Sequence, residues 1–354
     1  MASERNGTTC LWAVILAVVA ACGPTTAHVQ ADASSPPPAA TAATPDASEG
    51  LVDEVAALIR ARDYDALDAM GARLVATQAR TSSGLLKAGL FYSSIHWYLL
   101  NGVGGRCSPD AQGVADAWFA ARPKSPPAIL AVAYAHLSTA WCARGQDGAS
   151  KVPEEAWPIF YREARAAGEV LANNRSAAVA PAWYAAMEDV AIAENWPDDA
   201  FARLHAEAVQ RFPWSYDIYF RAARHYQAQW GGSKTAFDAF ARRSAAASKA
   251  TDGAGLYARI YWAAYDGCLE TLTRCTAVDM PMLADSMADI AARYPSSWND
   301  SNFAWILCAN NAADKARPYF ERLPADSPGD PWPNQSTFDW CRQMSGADGV
   351  KPVP

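Results

Sequence analysis

The sequence predicts an all-α protein, an array of about fourteen helices paired as six or seven stacked hairpins. Three observations carry that expectation. Half of the 354 residues are apolar (51%), and they recur at helical spacing within Ala-rich segments that hold few β-branched clusters. A punctuation of Arg, Pro and Ser returns at Arg122-Pro123-Lys124-Ser125, Arg211-Phe212-Pro213-Trp214-Ser215 and Arg293-Tyr294-Pro295-Ser296-Ser297. In each, Arg complements the negative end of one helix, Pro forbids its continuation and Ser can cap the next. Finally, the stretch 211–233 holds a whole unit. Tyr219, Ala222, Tyr226 and Trp230 form one helical stripe, Gly231 and Gly232 end it, and Ser233 caps a helix whose buried face is Phe237, Phe240 and Ser244.

Taken in order, the helical signals start at residue 51. Leu51, Val55, Leu58 and Ile59 make one stripe, and Tyr64, Leu67, Met70 and Leu74 the next. A longer helix over 85–100 carries Phe91, Tyr92, His96 and Trp97. Ser108-Pro109-Asp110 then combines a cap, a Pro at the first helical position and an acid near the positive helix end. Pro153-Glu154-Glu155 and Pro197-Asp198-Asp199 are further starts. Towards the end, 256–265 is helical, 280–293 and 298–310 pair as a hairpin, and Asp314 is expected to cap the helix that follows.

The amino terminus reads as an export signal. Arg5 precedes an uncharged run over 11–19, too short for a comfortable membrane span, and Val19-Ala20-Ala21-Cys22 follows. That tetrapeptide resembles the lipobox of bacterial lipoproteins, which implies acylation of Cys22 after cleavage. Ordinary cleavage at small residues, or an uncleaved anchor, is the competing reading. Gly23 after the Cys implies, for such a lipoprotein, the outer membrane of a Gram-negative envelope, with the body facing the periplasm. Residues 23–50 are rich in Pro, Ala, Ser and Thr, with almost nothing to bury, and as a flexible coil they span roughly 30 Å. The chain thus divides into a leader at 1–21, a lipidated Cys and tether at 22–50, a helical domain at 51–345 and a flexible tail at 346–354.

Six cysteines lie beyond the leader and Cys22, an even number that suits disulfides in an exported chain. Pairing of sequence neighbours is expected: Cys107 with Cys142, Cys268 with Cys275, and Cys308 with Cys341. A metal site is the rival, without a C-x2-C pair or a His at ligand spacing to support it. Net charge is −7, so no concentrated basic surface calls for nucleic acid.

The hairpin periodicity resembles tetratricopeptide-like arrays. Ala208 falls where such a repeat carries Ala, while Asp189 and Phe201 stand at places that hold small residues. A second resemblance spans most of the mature chain. Asp63-Tyr64 with Leu67, Gly84 with Phe91-Tyr92, Trp118 with Pro123 and Ser125, Arg144-Gly145, Pro213 with Tyr219, Trp230-Gly231-Gly232-Ser233, and Asn302-Phe303-Ala304 with Cys308 and Asp314 are similar to the bacterial domain of unknown function 4034 family. The resemblance implies a helical-repeat fold and no chemistry.

No G-x-S-x-G elbow, H-E-x-x-H, phosphate loop or EF-hand occurs, so neither catalytic residues nor a cofactor are assigned. Glu154-Glu155 and Asp198-Asp199 follow helix-starting prolines, where acids favour the helix dipole. His96, His136, His205 and His225 lie among apolar residues and are expected to pack. Aromatic residues are the least ordinary feature, with core packing as their main role. Trp214, Tyr216, Tyr219, Tyr226 and Trp230 are the candidate binding face. The function expected is a membrane-tethered, non-catalytic module that takes a protein or peptide on its concave side. Recognition of cell-wall glycan is the alternative, and an unrecognised hydrolase a weaker one.

Overall fold

In a computed structural model of the chain, residues 48–145 and 148–347 are described. The leader, Cys22 and most of the tether lie outside them, as does the tail from residue 348. The described residues form sixteen α-helices and no β-sheet, with one isolated bridge between Arg80 and Leu86. None of these helices is long and apolar enough to cross a membrane.

Two kinds of helix alternate along the chain. α4 (Asp110–Ala121), α6 (Ala156–Asn173), α8 (Asp198–Arg211), α10 (Lys234–Asp252) and α13 (Met280–Arg293) bury one stripe each. In α6 the stripe is Phe160, Ala164, Ala167 and Leu171, spaced as 3.6 residues per turn requires. By contrast α5 (Pro126–Arg144), α7 (Pro181–Ala193) and α14 (Ser297–Ala309) are buried nearly all round. α3 (Lys87–Trp97), α9 (Tyr216–His225) and α11 (Leu256–Ala264) share that inner layer. The inner helices pack in series, α3 on α5, α5 on α7, α7 on α9 and α9 on α11, while the amphipathic helices cover their backs. α1 (Ser48–Ala61) and α2 (Tyr64–Thr77) pack on α3 at one end, and α15 (Ala313–Phe320) and α16 (Gln335–Ser345) on α14 at the other. The four-residue α12 (Leu272–Cys275) lies between α11 and α13. Small residues let the inner layer approach closely: six of the nineteen positions of α5 and five of the thirteen of α7 are Ala.

The series curves back on itself. Arg259 of α11 and Asn299 of α14 both donate to the carbonyl of Ser83, in the loop that leads into α3, at 2.9 and 3.3 Å. Gly84, at φ 88°, completes that loop. A side chain there would overlap Tyr294 and Arg259, so the close approach requires Gly.

Caps and cross-links follow the punctuation in part. The Ser125 and Ser233 hydroxyls accept from the amides of Ala128 and Ala236. Ser215 and Ser296 occupy cap positions without a side-chain cap bond. Disulfides join Cys107 to Cys142, Cys268 to Cys275 and Cys308 to Cys341, with Cα separations of 5.7, 6.9 and 5.8 Å.

Three local expectations are corrected. α1 begins at Ser48, inside the stretch assigned to the tether, because a helix's first turn needs no buried side chain. Ala312 rather than Asp314 caps α15, and Asp314 lies in its first turn. α9 ends at His225 instead of running to Trp230, which sits in a separate 3-10 turn. The Gln227 side chain donates to the Ala264 carbonyl of α11 at 2.7 Å, and the Gly232 and Ser233 amides fold back onto Gln227 and Tyr226. A tertiary contact thus ends the helix one turn before the glycine pair.

Candidate functional site

Where the inner layer curves back, α3 faces α9, α11 and α14 across a cavity of about 70 Å³. Its walls are mostly apolar. Leu86, Leu90, Ile290 and Phe303 are buried, whereas Leu85, Phe220, Trp262 and Trp298 are half-buried and form the rim. Trp262 and Trp298 stack at the rim with centroids 4.9 Å apart and planes 19° from parallel, so each fixes the other's orientation.

One face of α9 supplies the polar part. Tyr216, Asp217, Phe220 and Arg221 all line the cavity. The Tyr216 hydroxyl donates to Asp252 at 2.8 Å, and its ring lies beneath the guanidinium groups of Arg80 and Arg259, 4.8 and 4.9 Å away. Arg259 is anchored on Ser83, and Arg221 pairs with Asp189 of α7 at 3.4 Å.

Asp217 differs from both. Among the described residues it has neither a hydrogen bond nor an ion pair within contact distance, and its carboxylate packs against Gly89 of α3, where any side chain would displace it. Burial raises its pKa to about 6, with the charge of Arg221 pulling the other way.

A second polar group lies deeper, in the seam between α7 and its neighbours. Asp189 accepts from Arg224 at 2.8 Å as well as facing Arg221. Glu188 is fully buried, accepts from His205 Nδ1 at 2.8 Å and is raised to about 7 by burial. His96 stacks on Tyr134 with centroids 4.6 Å apart, and burial together with the charge of Arg221 lowers it to about 4.

The five aromatic residues of the candidate binding face do not share a face. Tyr216 lines the cavity. Tyr219 is buried and donates to the Pro213 carbonyl at 3.1 Å. Trp214 is half-buried with its ring edge-on to Phe212, and Tyr226 stacks on Phe240. Trp230 meets Trp141 edge-to-face and lies beside Arg144 and Arg224. His136 pairs with Glu163, and His225 with Asp198. The residues that sequence reasoning passed over are Asp217, Arg221 and Arg259. The Asp217–Arg221 spacing of four on the central helix is the one signal that could have found the first two.

No group of three or more His, Cys, Asp or Glu side chains among the described residues is placed to hold a metal ion. No family model matches the chain, and no curated protein or solved structure is similar to it.

Proposed function

We propose that this chain is a non-catalytic binding protein of the bacterial envelope, held to the membrane through acylated Cys22 and the tether that precedes α1, with the cavity between α3, α9, α11 and α14 as its ligand site. The observation that carries this reading is a partly open, aromatic-rimmed cavity whose wall holds a half-buried carboxylate that takes no hydrogen bond or ion pair among the described residues. Three disulfides suit an oxidising compartment and support export. Ser93, the hydroxyl on the cavity wall, has no hydrogen-bonded base beside it among the described residues, which favours binding over acyl transfer. The array remains tetratricopeptide-like in this proposal, and the likeness to the domain of unknown function 4034 family belongs to it. Because α3 lies across the inner layer, the site suits a small ligand or one side chain of a partner better than a long extended peptide.

Two measurements test it. Alkyne–fatty-acid labelling of the full chain is expected to be lost in Cys22→Ser, and a label that persists would remove the anchor. A thermal-shift screen with amphipathic fragments is expected to give hits on the wild type that disappear in Ser93→Leu, which fills the cavity. Hits unaffected by that change place binding elsewhere. A stacked aromatic pair favours one other site: half-buried Trp157 and 46% exposed Tyr161 stack at 5.7 Å on α6, an arrangement that suits a sugar ring. Pull-down on purified peptidoglycan that survives Tyr161→Ala would end that second reading.

A further inference from the structure

The cavity's charge arrangement narrows its ligand. Three charged side chains line it, and two are already engaged. Arg221 faces Asp189 at 3.4 Å, and Arg259 donates to the Ser83 carbonyl while covering the Tyr216 and Tyr294 rings. Asp217 alone makes no such contact among the described residues. Its position is fixed from behind, since Gly89 leaves just enough room for the carboxylate against α3. The rest of the lining is mostly apolar and aromatic, Leu90, Phe220, Trp262 and Phe303 among it. A carboxylate in such surroundings gains from an incoming cation with its own N–H donors, and the rings around it favour a cation that carries an apolar body.

We infer that the cavity binds a primary ammonium borne on an apolar or aromatic group, with the ammonium donating to Asp217 and the body seated against Phe220, Trp262 and Trp298. This rests on the cavity being the ligand site at all. The ammonium has two possible sources, a free amine or a lysyl side chain of a partner, and both present the same chemistry to Asp217.

Titration calorimetry of the full chain near pH 7.5 with matched probes tests the inference. Phenethylamine, 2-phenylethanol and 3-phenylpropionate share a body and differ in the head group. The amine is expected to bind about tenfold more tightly than the alcohol, the difference that one charge-assisted hydrogen bond supplies, and the carboxylate more weakly still. Asp217→Asn should cut amine affinity about tenfold and leave the alcohol within about threefold, a split that general misfolding would not produce. Tighter binding of the carboxylate, or an amine preference that survives Asp217→Asn, overturns the ammonium inference while leaving the cavity a binding site. If none of the three binds and Ser93→Leu abolishes no fragment hit, the binding-site reading itself fails. An Nα-acetyl-lysine methylamide arm separates the sources: binding comparable to phenethylamine points to a lysyl partner, and binding to the free amine alone points to a small molecule. Either outcome upholds the ammonium site, provided it depends on Asp217.

Discussion

Asp189, buried on α7, and Asp217, half-buried on α9, both feel the charge of Arg221, and the fold places them in opposite settings. Asp189, on α7, takes hydrogen bonds or ion pairs from Arg221 and Arg224 at 3.4 and 2.8 Å. Asp217, on α9, is left with the field of Arg221 and no hydrogen bond or ion pair among the described residues. A buried anion costs several kcal/mol unless it is paired, so the first arrangement ties two helices together, while the half-buried Asp217 is a smaller cost the fold carries. The seam is organised for stability. The cavity is organised for something that arrives from outside, and the comparison predicts that equal isosteric changes at the two carboxylates will have unequal effects.

The largest effect is expected at the seam. Asp189→Asn keeps the shape but removes the counter-charge from two guanidinium groups, and should destabilise the protein by about 3–5 kcal/mol, read from denaturant unfolding at neutral pH. A loss below about 1 kcal/mol would mean that the seam is solvated and that the contrast with the cavity is not real.

Next in size is a pH effect on the same seam. Burial first, and then Arg221, hold the His96 imidazole down to about 4, with Asp189 opposing and Arg224 reinforcing. The unfolded chain therefore binds more protons than the folded one between that value and the ordinary His value near 6.5. Stability from this group is full above about 6.5 and is lost as pH falls towards 4. His96→Phe keeps a ring for the stack on Tyr134 and cannot titrate. Between pH 7.5 and pH 5 the wild type should lose about 2 kcal/mol more unfolding free energy than the variant. Parallel losses in the two proteins would show that His96 is charged inside the fold, and with it that the seam tolerates a further cation.

What could be read from the sequence follows the range of the forces involved. Ser125 and Ser233 cap helices through contacts three residues away, so local punctuation reveals them. The disulfides join neighbouring cysteines because helices close in the chain are close in space, as with α14 and α16, one helix apart, around Cys308–Cys341. The end of α9 was not legible, since it is set by Gln227 reaching Ala264, thirty-seven residues on. The cavity was hidden for the same reason. Asp217 lies in the first turn of α9, where an acid ordinarily faces water and favours the helix dipole. Only the return of α3, with Gly89 against it, makes that carboxylate part of a cavity wall. Tyr216 reaches the cavity, but the stripe through Tyr219 and Tyr226 turns towards α8 and α10 instead, where His205 meets Tyr219 and Phe240 stacks on Tyr226.

The smallest effect is the most telling because its sign is opposite. Asp217 is raised from 3.8 to about 6, so the folded state holds that proton more firmly than the unfolded chain does. The contribution to stability is full below about 3.8 and is lost as pH rises through 6, which leaves the cost of a buried anion at neutral pH. Asn carries no such cost and occupies the same space beside Gly89. Asp217→Asn should therefore stabilise the protein near pH 7.5, by on the order of 1 kcal/mol once screening by solvent in the cavity is allowed for, and leave it unchanged near pH 4. Melting temperatures of wild type and variant at the two pH values decide the matter. A stabilising loss of a charged group marks a position kept for binding at the expense of the fold. If Asp217→Asn instead costs as much as Asp189→Asn, the two carboxylates are the same kind of residue, and the cavity has no better claim to a ligand than the seam.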